Sequence, residues 1–509
     1  MVTNLGLREL GADVEARLLR HRLFQVEPWD LLRTRFNARS FDASLNGKDA
    51  LAKAAVEALG ASSPDPAPAG VLTAEAAWKV VLERKLGVPE ARPDARALLE
   101  WAMNADDVAR WRAFPPELKS LFEDWLNGYL GDWVDPFLGC LDAGYGQSAI
   151  AIGFVLGVLQ HQPTDAKERV SLAQALGRLE RFVGGKALST RAQRIWSDAS
   201  EQWAGAVAPM GRFADAAPVL TDAEGILDTT GAGKFCHLSR WLPRGFQTRL
   251  LAAAQATSGD LAGVEGTLSD LEGHAIWQWA KTEREWLDRA QMAARLTRWL
   301  KTPEAQTADW PATVLEYHRS GAWVDVARQT VLTGDGPEPV LKAWVALLGR
   351  VTSRRERENF MFARALVEAS QRNSIADAGV PVELVLERVV APWGKERVLL
   401  IVMDGMTHAV WRELQCDVEG RNWVSWSWFE NSPLPQAIAA LPSITSVSRC
   451  SLLCGRLVVG GQDVEKRGFA DNAALGAVSK SSYPPVLFHK DEVGAGASNL
   501  SDSVRKEIR

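Results

Sequence analysis

In two segments of the chain, an apolar or strand-like run leads directly to a residue that could take part in a reaction. The run VLLIVM at 398–403 stops at Asp404, which Gly405 follows. An acid at the tip of a buried strand suggests a bound cation, because a solvated acid could lie in any loop. In the segment ALPSITSVSRCSLLCG at 440–455, a strand-like start reaches Thr445, and a helix of about two turns then ends at Gly455.

Together these two residues could perform a metal-assisted attack on an anionic ester. Thr445 would lie at a helix N-terminus, where unpaired amides and the helix dipole favour a phosphate or sulfate. A threonine hydroxyl is a poor nucleophile unless a base or a metal activates it, and Asp404 could hold that metal. The residues alone leave a simpler interpretation open, in which Asp404 caps a turn and Thr445 caps a helix.

The region around both residues has the pattern of an α/β domain. From residue 380 onwards, β-branched runs alternate with short helical segments such as HAVWRELQ at 408–415. This alternation predicts a largely parallel sheet over 380–509. Ligands gather beyond the carboxyl ends of strands in such sheets, so Asp404 and Thr445 are expected to meet at one edge.

The residues ahead of this domain predict helices. Segments 1–59 and 71–379 carry apolar residues at helical spacing, and the proline-rich stretch 60–70 predicts a linker. One helix is expected to start with Thr73 as its N-cap, to carry Glu75 in its first turn and to stop at Gly87. Most tryptophans occur singly along the helical segments, which is typical of packing anchors: Trp78, Trp101, Trp111, Trp125, Trp133, Trp299 and Trp344.

The composition excludes several classes of protein. A formal net charge of −5 gives no electrostatic footprint for nucleic acid, and no apolar stretch reaches the ~18 residues of a membrane span. The first residues lack a secretory signal, and five scattered cysteines are too few for a disulfide framework. The two in CSLLC, Cys450 and Cys454, have no partner pair for a zinc site. A cytoplasmic protein with reduced thiols is therefore expected.

The segments LLIVMDGMTHAVWREL and LPSITSVSRCSLLCGR resemble the PglZ domain, a family of the alkaline phosphatase superfamily found in phage-defence systems. The Trp-rich helical region before them is most similar to the PglZ of type 2 bacteriophage exclusion (BREX). The resemblance implies that Asp404 is a metal ligand and that Thr445 is both nucleophile and metal ligand. It also implies a divalent metal, commonly zinc, and phosphate or sulfate esters as substrates. Counting back from Gly455 selects Thr445 over its neighbours Ser443 and Ser446.

The sequence departs from the family pattern in its distal metal ligands. An Asp-His pair that the superfamily places later in the chain is absent, and only His489 follows Thr445. His489 or Asp491 could contribute, but a surface histidine is the simpler interpretation. Arg449 could reach a phosphate or could be a solvated helix residue. We therefore expect a fragment, with an incomplete α/β alkaline-phosphatase-like domain that is inactive or weakly active.

The sequence is consistent with two functions. In the first, the chain is a PglZ-type defence protein with a metal-dependent phosphatase or phosphodiesterase domain. In the second, its helical region is a scaffold that binds other defence proteins, such as a methyltransferase or an ATPase.

Overall fold

The structure, a computed structural model, describes residues 2–3, 24–25, 27–208, 213–304, 309–394, 397–424, 436–480, 483–493, 501–502 and 504. The chain divides into two compact units. Unit 1 comprises Met1–Ala253 and Glu265–Asp288, and unit 2 comprises Ala254–Val264 and Arg289–Arg509. The domain boundaries inferred from the sequence stay predictions.

Unit 1 is built mainly from helices. Among its described residues, two parallel strand pairs accompany them, β1 (Val2–Thr3) with β2 (Phe24–Gln25) and β3 (Ser40–Phe41) with β4 (Val71–Leu72). Within the predicted helical segment 1–59, residues 1, 4–23 and 26 lie outside the described part of the chain. The helices are α1 (Pro28–Arg35), α2 (Asp49–Leu59), α3 (Ala74–Val81), α4 (Ala95–Trp101), α5 (Ala105–Arg112), α6 (Pro116–Leu130), α7 (Val134–Ala143), α8 (Ala149–Leu159), α9 (Ala166–Leu179), α10 (Thr190–Val207) and α11 (Phe213–Thr230).

Three further helices have residues in both units: α12 (Pro243–Ala256), α13 (Leu261–Glu272) and α14 (Lys281–Lys301).

Local signals set the ends of α3 as the sequence predicts. The Thr73 hydroxyl accepts a hydrogen bond from the Ala76 amide at 3.2 Å, which pairs one of the amides that a helix start leaves open. A π-helical turn, Leu82–Leu86, continues the helix, and Gly87 ends it with a φ of +77°. Only glycine adopts that conformation without strain, so the predicted stop is confirmed.

Large aromatic side chains fill the core of unit 1. Trp78, Trp111 and Trp133 are at most 1% exposed. The rings of Trp78 and Trp111 both pack on Phe122, with centroid distances of 5.3 and 5.7 Å. The prediction that the tryptophans are packing anchors is confirmed for these residues, because burying such rings is a major source of core stability.

The apolar segment at 149–159 forms the buried helix α8. All its residues except Gly157 are buried, and it packs closely against α10. Gly153 permits this approach, since a Cβ atom there would lie 2.0 Å from the Ser200 hydroxyl oxygen. Among the helices that the structure describes, none has both the length and the apolar content needed to cross a membrane.

Unit 2 is also mainly helical. One parallel pair, β5 (Val380–Pro381) with β6 (Ala437–Ile438), is its only sheet in the described residues. A π-helical turn, Tyr317–Gly321, joins its first two complete helices, and α17 is the longest element. The helices are α15 (Trp310–Glu316), α16 (Ala322–Leu332), α17 (Glu338–Gln371), α18 (His408–Glu419), α19 (Thr445–Cys454), α20 (Gln462–Ala470), α21 (Ala473–Val478) and α22 (Lys490–Val493).

The predicted strand at 398–404 is wrong for this structure. Residues 397–403 have no regular secondary structure, and Leu399 and Ile401 are 70% and 67% exposed. A run that is apolar on both faces becomes a buried strand only between neighbouring strands, with helices covering the sheet. The described part of the chain provides no such sheet, so the mainly helical multidomain class is confirmed and the alkaline-phosphatase-like sheet is not.

Candidate functional site

Asp404 lies in a turn that leads into α18. Gly405, the next residue, has a φ of +71°, and Thr407 caps α18 by accepting a hydrogen bond from the Val410 amide. The turn follows the apolar run directly, and the Asp404 side chain is 42% exposed. The carboxylate is therefore accessible from solvent, although the strand expected to carry it is absent.

Thr445 is the first residue of α19, and its hydroxyl does not cap that helix. Ile444 occupies the N-cap position with extended backbone angles and no side-chain cap. The Thr445 hydroxyl instead donates a hydrogen bond to Oδ2 of Asp404 at 2.9 Å, across 41 residues of sequence. The structure thus brings together the two residues that the sequence analysis singled out. Gly455 ends α19 with a φ of +65°, as predicted.

Arg449 lies one helical turn after Thr445 and contacts the same carboxylate. Its Nη1 atom donates to Asp404 Oδ2 at 3.0 Å, so this one oxygen accepts from both Thr445 and Arg449. Residues four apart in a helix share a face, which explains how both reach one atom. The interpretation of Arg449 as a solvated helix residue does not hold, since it joins an ion-pair network.

The other edge of the Arg449 guanidinium faces Glu465 on α20. Nε and Nη2 donate to Oε1 and Oε2 of Glu465 at 3.0 and 3.3 Å, a bidentate pairing. The Glu465 side chain is 0% exposed. A buried carboxylate without partners is strongly unfavourable, so this pairing keeps the charge tolerable inside the protein.

His489 is the second partner of Glu465. Its Nε2 atom lies 2.8 Å from Glu465 Oε2, and its side chain is 8% exposed. The expectation of a surface histidine is therefore wrong: His489 is buried behind α20, where it contacts an acid instead of solvent. Its backbone amide donates to Glu492, which also pairs with Lys466 at the surface.

The two cysteines of α19 lie inside the protein. Burial raises the pKa of the Cys450 thiol to about 11. The two sulfur atoms lie 3.9 Å apart, and both residues are buried.

The oxygen donors of the site are of the type that binds a divalent cation, but those among the described residues are too few for a complete metal site. The Asp404 carboxylate and the Thr445 hydroxyl present oxygen atoms to one point. Catalytic zinc takes three protein ligands, and among the described residues no cluster of three or more His, Cys, Asp or Glu side chains could hold a metal. The described residues therefore place two oxygen donors together at this point.

Sequence reasoning did not find Glu465 and the contact it makes with His489. Arg449 carried a usable signal, because it follows Thr445 at helical spacing. Glu465 did not, since an acid in the charged segment QDVEKRGFA is ordinarily a solvated residue. Only the packing of α20 against α19 shows that it is buried.

The fold and the site define a mainly helical protein in which an acid, a hydroxyl and a guanidinium meet at the start of one helix. Residues 94–241, which lie within unit 1 and begin at the N-cap of α4, match the family model described as the BREX system PglZ second domain. This match supports the resemblance to PglZ proteins of BREX systems that the sequence indicates. No curated protein and no solved structure matches it.

The match falls in the helical region and does not include Asp404 or Thr445. In that region the resemblance rested on the Trp-rich helical character, and the family match supports it.

Proposed function

We propose that this phage-defence PglZ protein carries a phosphoester hydrolase site in unit 2, centred on Asp404 and Thr445. The observation that supports the proposal is the 2.9 Å hydrogen bond from the Thr445 hydroxyl to Asp404 Oδ2. A hydroxyl held on a carboxylate at the start of a helix has both a route for its proton and a positive dipole beside it.

Thr445 is the proposed nucleophile. Its oxygen would form a bond to phosphorus while the ester oxygen leaves, and its proton would pass toward Asp404. Water would then cleave the bond between phosphorus and the Thr445 oxygen, which releases the phosphate product and restores the hydroxyl. Asp404 also fixes the direction of the Thr445 hydroxyl, because the hydrogen bond restricts rotation about the Cα–Cβ bond. The N-terminus of α19 favours the negative charge of the ester.

Asp404 and Thr445 are also the proposed metal ligands. A bound divalent metal, with zinc as the expected ion, would supply a lowered pKa for the Thr445 hydroxyl and compensation for the charge of the ester. Further ligands are needed to complete the set, since the described residues contribute two. We accordingly expect weak hydrolysis.

The test is the hydrolysis of a chromogenic phosphodiester by the chain, with zinc, manganese or magnesium added. Thr445→Ala should lower kcat by a factor on the order of 10³, because the nucleophile is lost. Thr445→Ser should retain part of the activity.

Ser443→Ala is the matched control, because Ser443 is an exposed hydroxyl two residues away. It should leave kcat unchanged. Activity that survives Thr445→Ala would rule out Thr445 as the nucleophile.

A second candidate function is a scaffold for other proteins of the defence system. The observation that favours it is the family match itself: the recognised domain is a helical part of unit 1 that lacks Asp404 and Thr445. The partners proposed are the methyltransferase and the ATPase of the same system. Co-expression of each with the full chain, followed by size-exclusion chromatography, tests this, and separate elution of both would contradict it.

A further inference from the structure

The most unusual charged group in unit 2 is the Glu465 carboxylate. It is fully buried, and both its oxygen atoms have hydrogen-bond partners. Arg449 contacts Oε1, and both Arg449 and His489 contact Oε2. The guanidinium group belongs to α19, and the imidazole ring belongs to the residue that precedes α22. Only acids with such partners are found buried in proteins.

This arrangement leaves Arg449 a single orientation. Two of its nitrogen atoms, Nε and Nη2, are fixed on Glu465, so the remaining Nη1 points to Asp404 Oδ2. The guanidinium is planar, and fixing one edge therefore fixes the other. A lysine could not make the same two contacts at once, because its ammonium group is a single point of charge.

Stability alone is a poor explanation for such a network. Removing ions from water costs free energy that their mutual attraction often fails to recover, and apolar residues of the same volume frequently stabilise a core better. The gain that remains is geometric: a side chain with several rotatable bonds is held in one conformation beside the Asp404–Thr445 pair.

We infer that Glu465 and His489 are positioning residues of the candidate site, and that the fixed Arg449 contacts the anionic oxygens of the substrate. The second part of this inference rests on the proposed hydrolase function. Arg449 and Thr445 donate to the same carboxylate oxygen, so they are neighbours, and an ester bound at Thr445 would lie within reach of the guanidinium. Glu465 acts through Arg449 and does not itself touch the ester.

The surrounding charges are arranged to support Glu465. Glu492 accepts from the His489 amide and pairs with Lys466 at 2.7 Å, both at the surface. These contacts hold the backbone of His489 in place while its imidazole remains on Glu465. The order of contacts is thus Glu492, His489, Glu465, Arg449, Asp404.

The anchoring of Arg449 can be measured without any hydrolysis. The rate at which phenylglyoxal modifies Arg449 in the full chain would be followed by peptide mass spectrometry, with the exposed Arg456 as the internal reference. Glu465→Gln removes the charge and one acceptor while keeping the shape, and should raise the rate at Arg449 about fivefold. His489→Gln, which keeps the Arg449–Glu465 pair, should raise it less.

Glu358→Gln is the matched control. Glu358 pairs with Arg355, a buried arginine of the same unit, at 2.6 Å. Glu358 is 23% exposed, and its loss removes ion pairs with two buried arginines of α17, Arg354 and Arg355. The rate at Arg449 should not change in this variant, although the thermal midpoint falls.

Kinetics form the second arm of the experiment, with the chromogenic phosphodiester and added metal. Glu465→Gln should lower kcat/KM about tenfold, the usual effect of losing a group that orients a contacting residue. Glu358→Gln should leave kcat/KM nearly unchanged although it lowers stability, because Arg449 keeps its hydrogen bonds to Glu465.

The outcomes separate the two proposals. If Arg449 becomes reactive in Glu465→Gln and the hydrolysis measured with added metal survives Thr445→Ala, anchoring is supported and the hydrolase proposal fails. If Arg449 stays protected in both Glu465→Gln and His489→Gln, the inference is overturned whether or not hydrolysis occurs. Unchanged kcat/KM in Glu465→Gln would likewise overturn it.

Discussion

At the scale of single residues, the site depends on one oxygen atom. Oδ2 of Asp404 accepts from Thr445 at 2.9 Å and from Arg449 at 3.0 Å. Because Asp404 is 42% exposed, water screens this ion pair and its contribution to stability is small. The value of the contact is therefore geometric, as it brings a hydroxyl, an acid and a guanidinium to the start of α19.

His274 shows how burial fixes the protonation of one residue in unit 1. It is 0% exposed; its Nδ1 atom accepts from the Ile276 amide, and Nε2 donates to the Leu242 carbonyl. This geometry requires the neutral ring, because a second N–H would face the Ile276 amide. Burial, with smaller effects from Arg249 and Arg240, lowers the pKa of His274 to about 3.

We predict that unit 1 loses stability on acidification because of His274. The unfolded chain binds a proton there below pH 6.5, whereas the folded chain resists it until about pH 3. The free energy of unfolding should thus be unaffected by this group above pH 6.5 and fall as the pH drops from 6.5 toward 3. Urea denaturation of His274→Gln, whose amide can still donate to Leu242, should show a shallower slope with pH, and an identical slope would contradict the assignment.

At the scale of elements, glycines with positive φ end helices and turns in this chain. Gly87 and Gly47 have nearly the same φ, +77° and +76°, but different surroundings. A Cβ atom at Gly87 would lie 2.5 Å from Oδ1 of Asp107, which pairs with Arg110, whereas nothing lies within 4 Å at Gly47. The two positions separate the cost of the backbone conformation from the cost of crowding.

Alanine substitutions should show this difference. Gly47→Ala is expected to lower the free energy of unfolding by about 1 kcal/mol, the cost of a left-handed residue with a Cβ atom. Gly87→Ala should cost about 1–2 kcal/mol more, because the Asp107–Arg110 pair must also move. Thermal or urea unfolding of both variants measures the difference. Equal costs would mean that the Asp107 side chain moves away from the added Cβ atom at no cost in free energy.

At the scale of the whole molecule, the chain presents an apolar run on its surface. Residues 398–403 of unit 2 are exposed along their full length. Soluble proteins rarely expose contiguous apolar patches without consequence, so this run is expected to promote self-association. The net charge of −5 gives moderate repulsion between copies of the chain.

Lysines in this run should therefore improve behaviour in solution at little cost. Leu399→Lys with Ile401→Lys is expected to reduce binding of a hydrophobic dye and light scattering at high concentration, with unfolding free energy changed by less than ~0.5 kcal/mol. Leu332→Lys, at a singly exposed leucine on α16, serves as the control and should change neither signal. A large loss of stability in the double variant would show that the run is buried in solution, as the sequence pattern predicts.

The sequence by itself determined the short-range features of this protein. The cap at Thr73, the stops at Gly87 and Gly455, the helix that starts at Thr445 and the burial of Trp78 all follow from local rules or from the size of one side chain. These are settled within a few residues, so a pattern of that length is enough to predict them. The Asp404–Thr445 pairing was also expected, although from a resemblance and a presumed sheet.

Only the tertiary structure decided what surrounds that pair. The sheet expected to bring Asp404 to Thr445 is absent from the described residues, and the two side chains meet through the turn at Gly405 and the start of α19. Glu465 and His489 are polar residues of segments that the sequence marks as surface, and their burial follows from the packing of α20 and the chain before α22. A contact between distant segments depends on the path of the entire chain, and no local pattern carries that information.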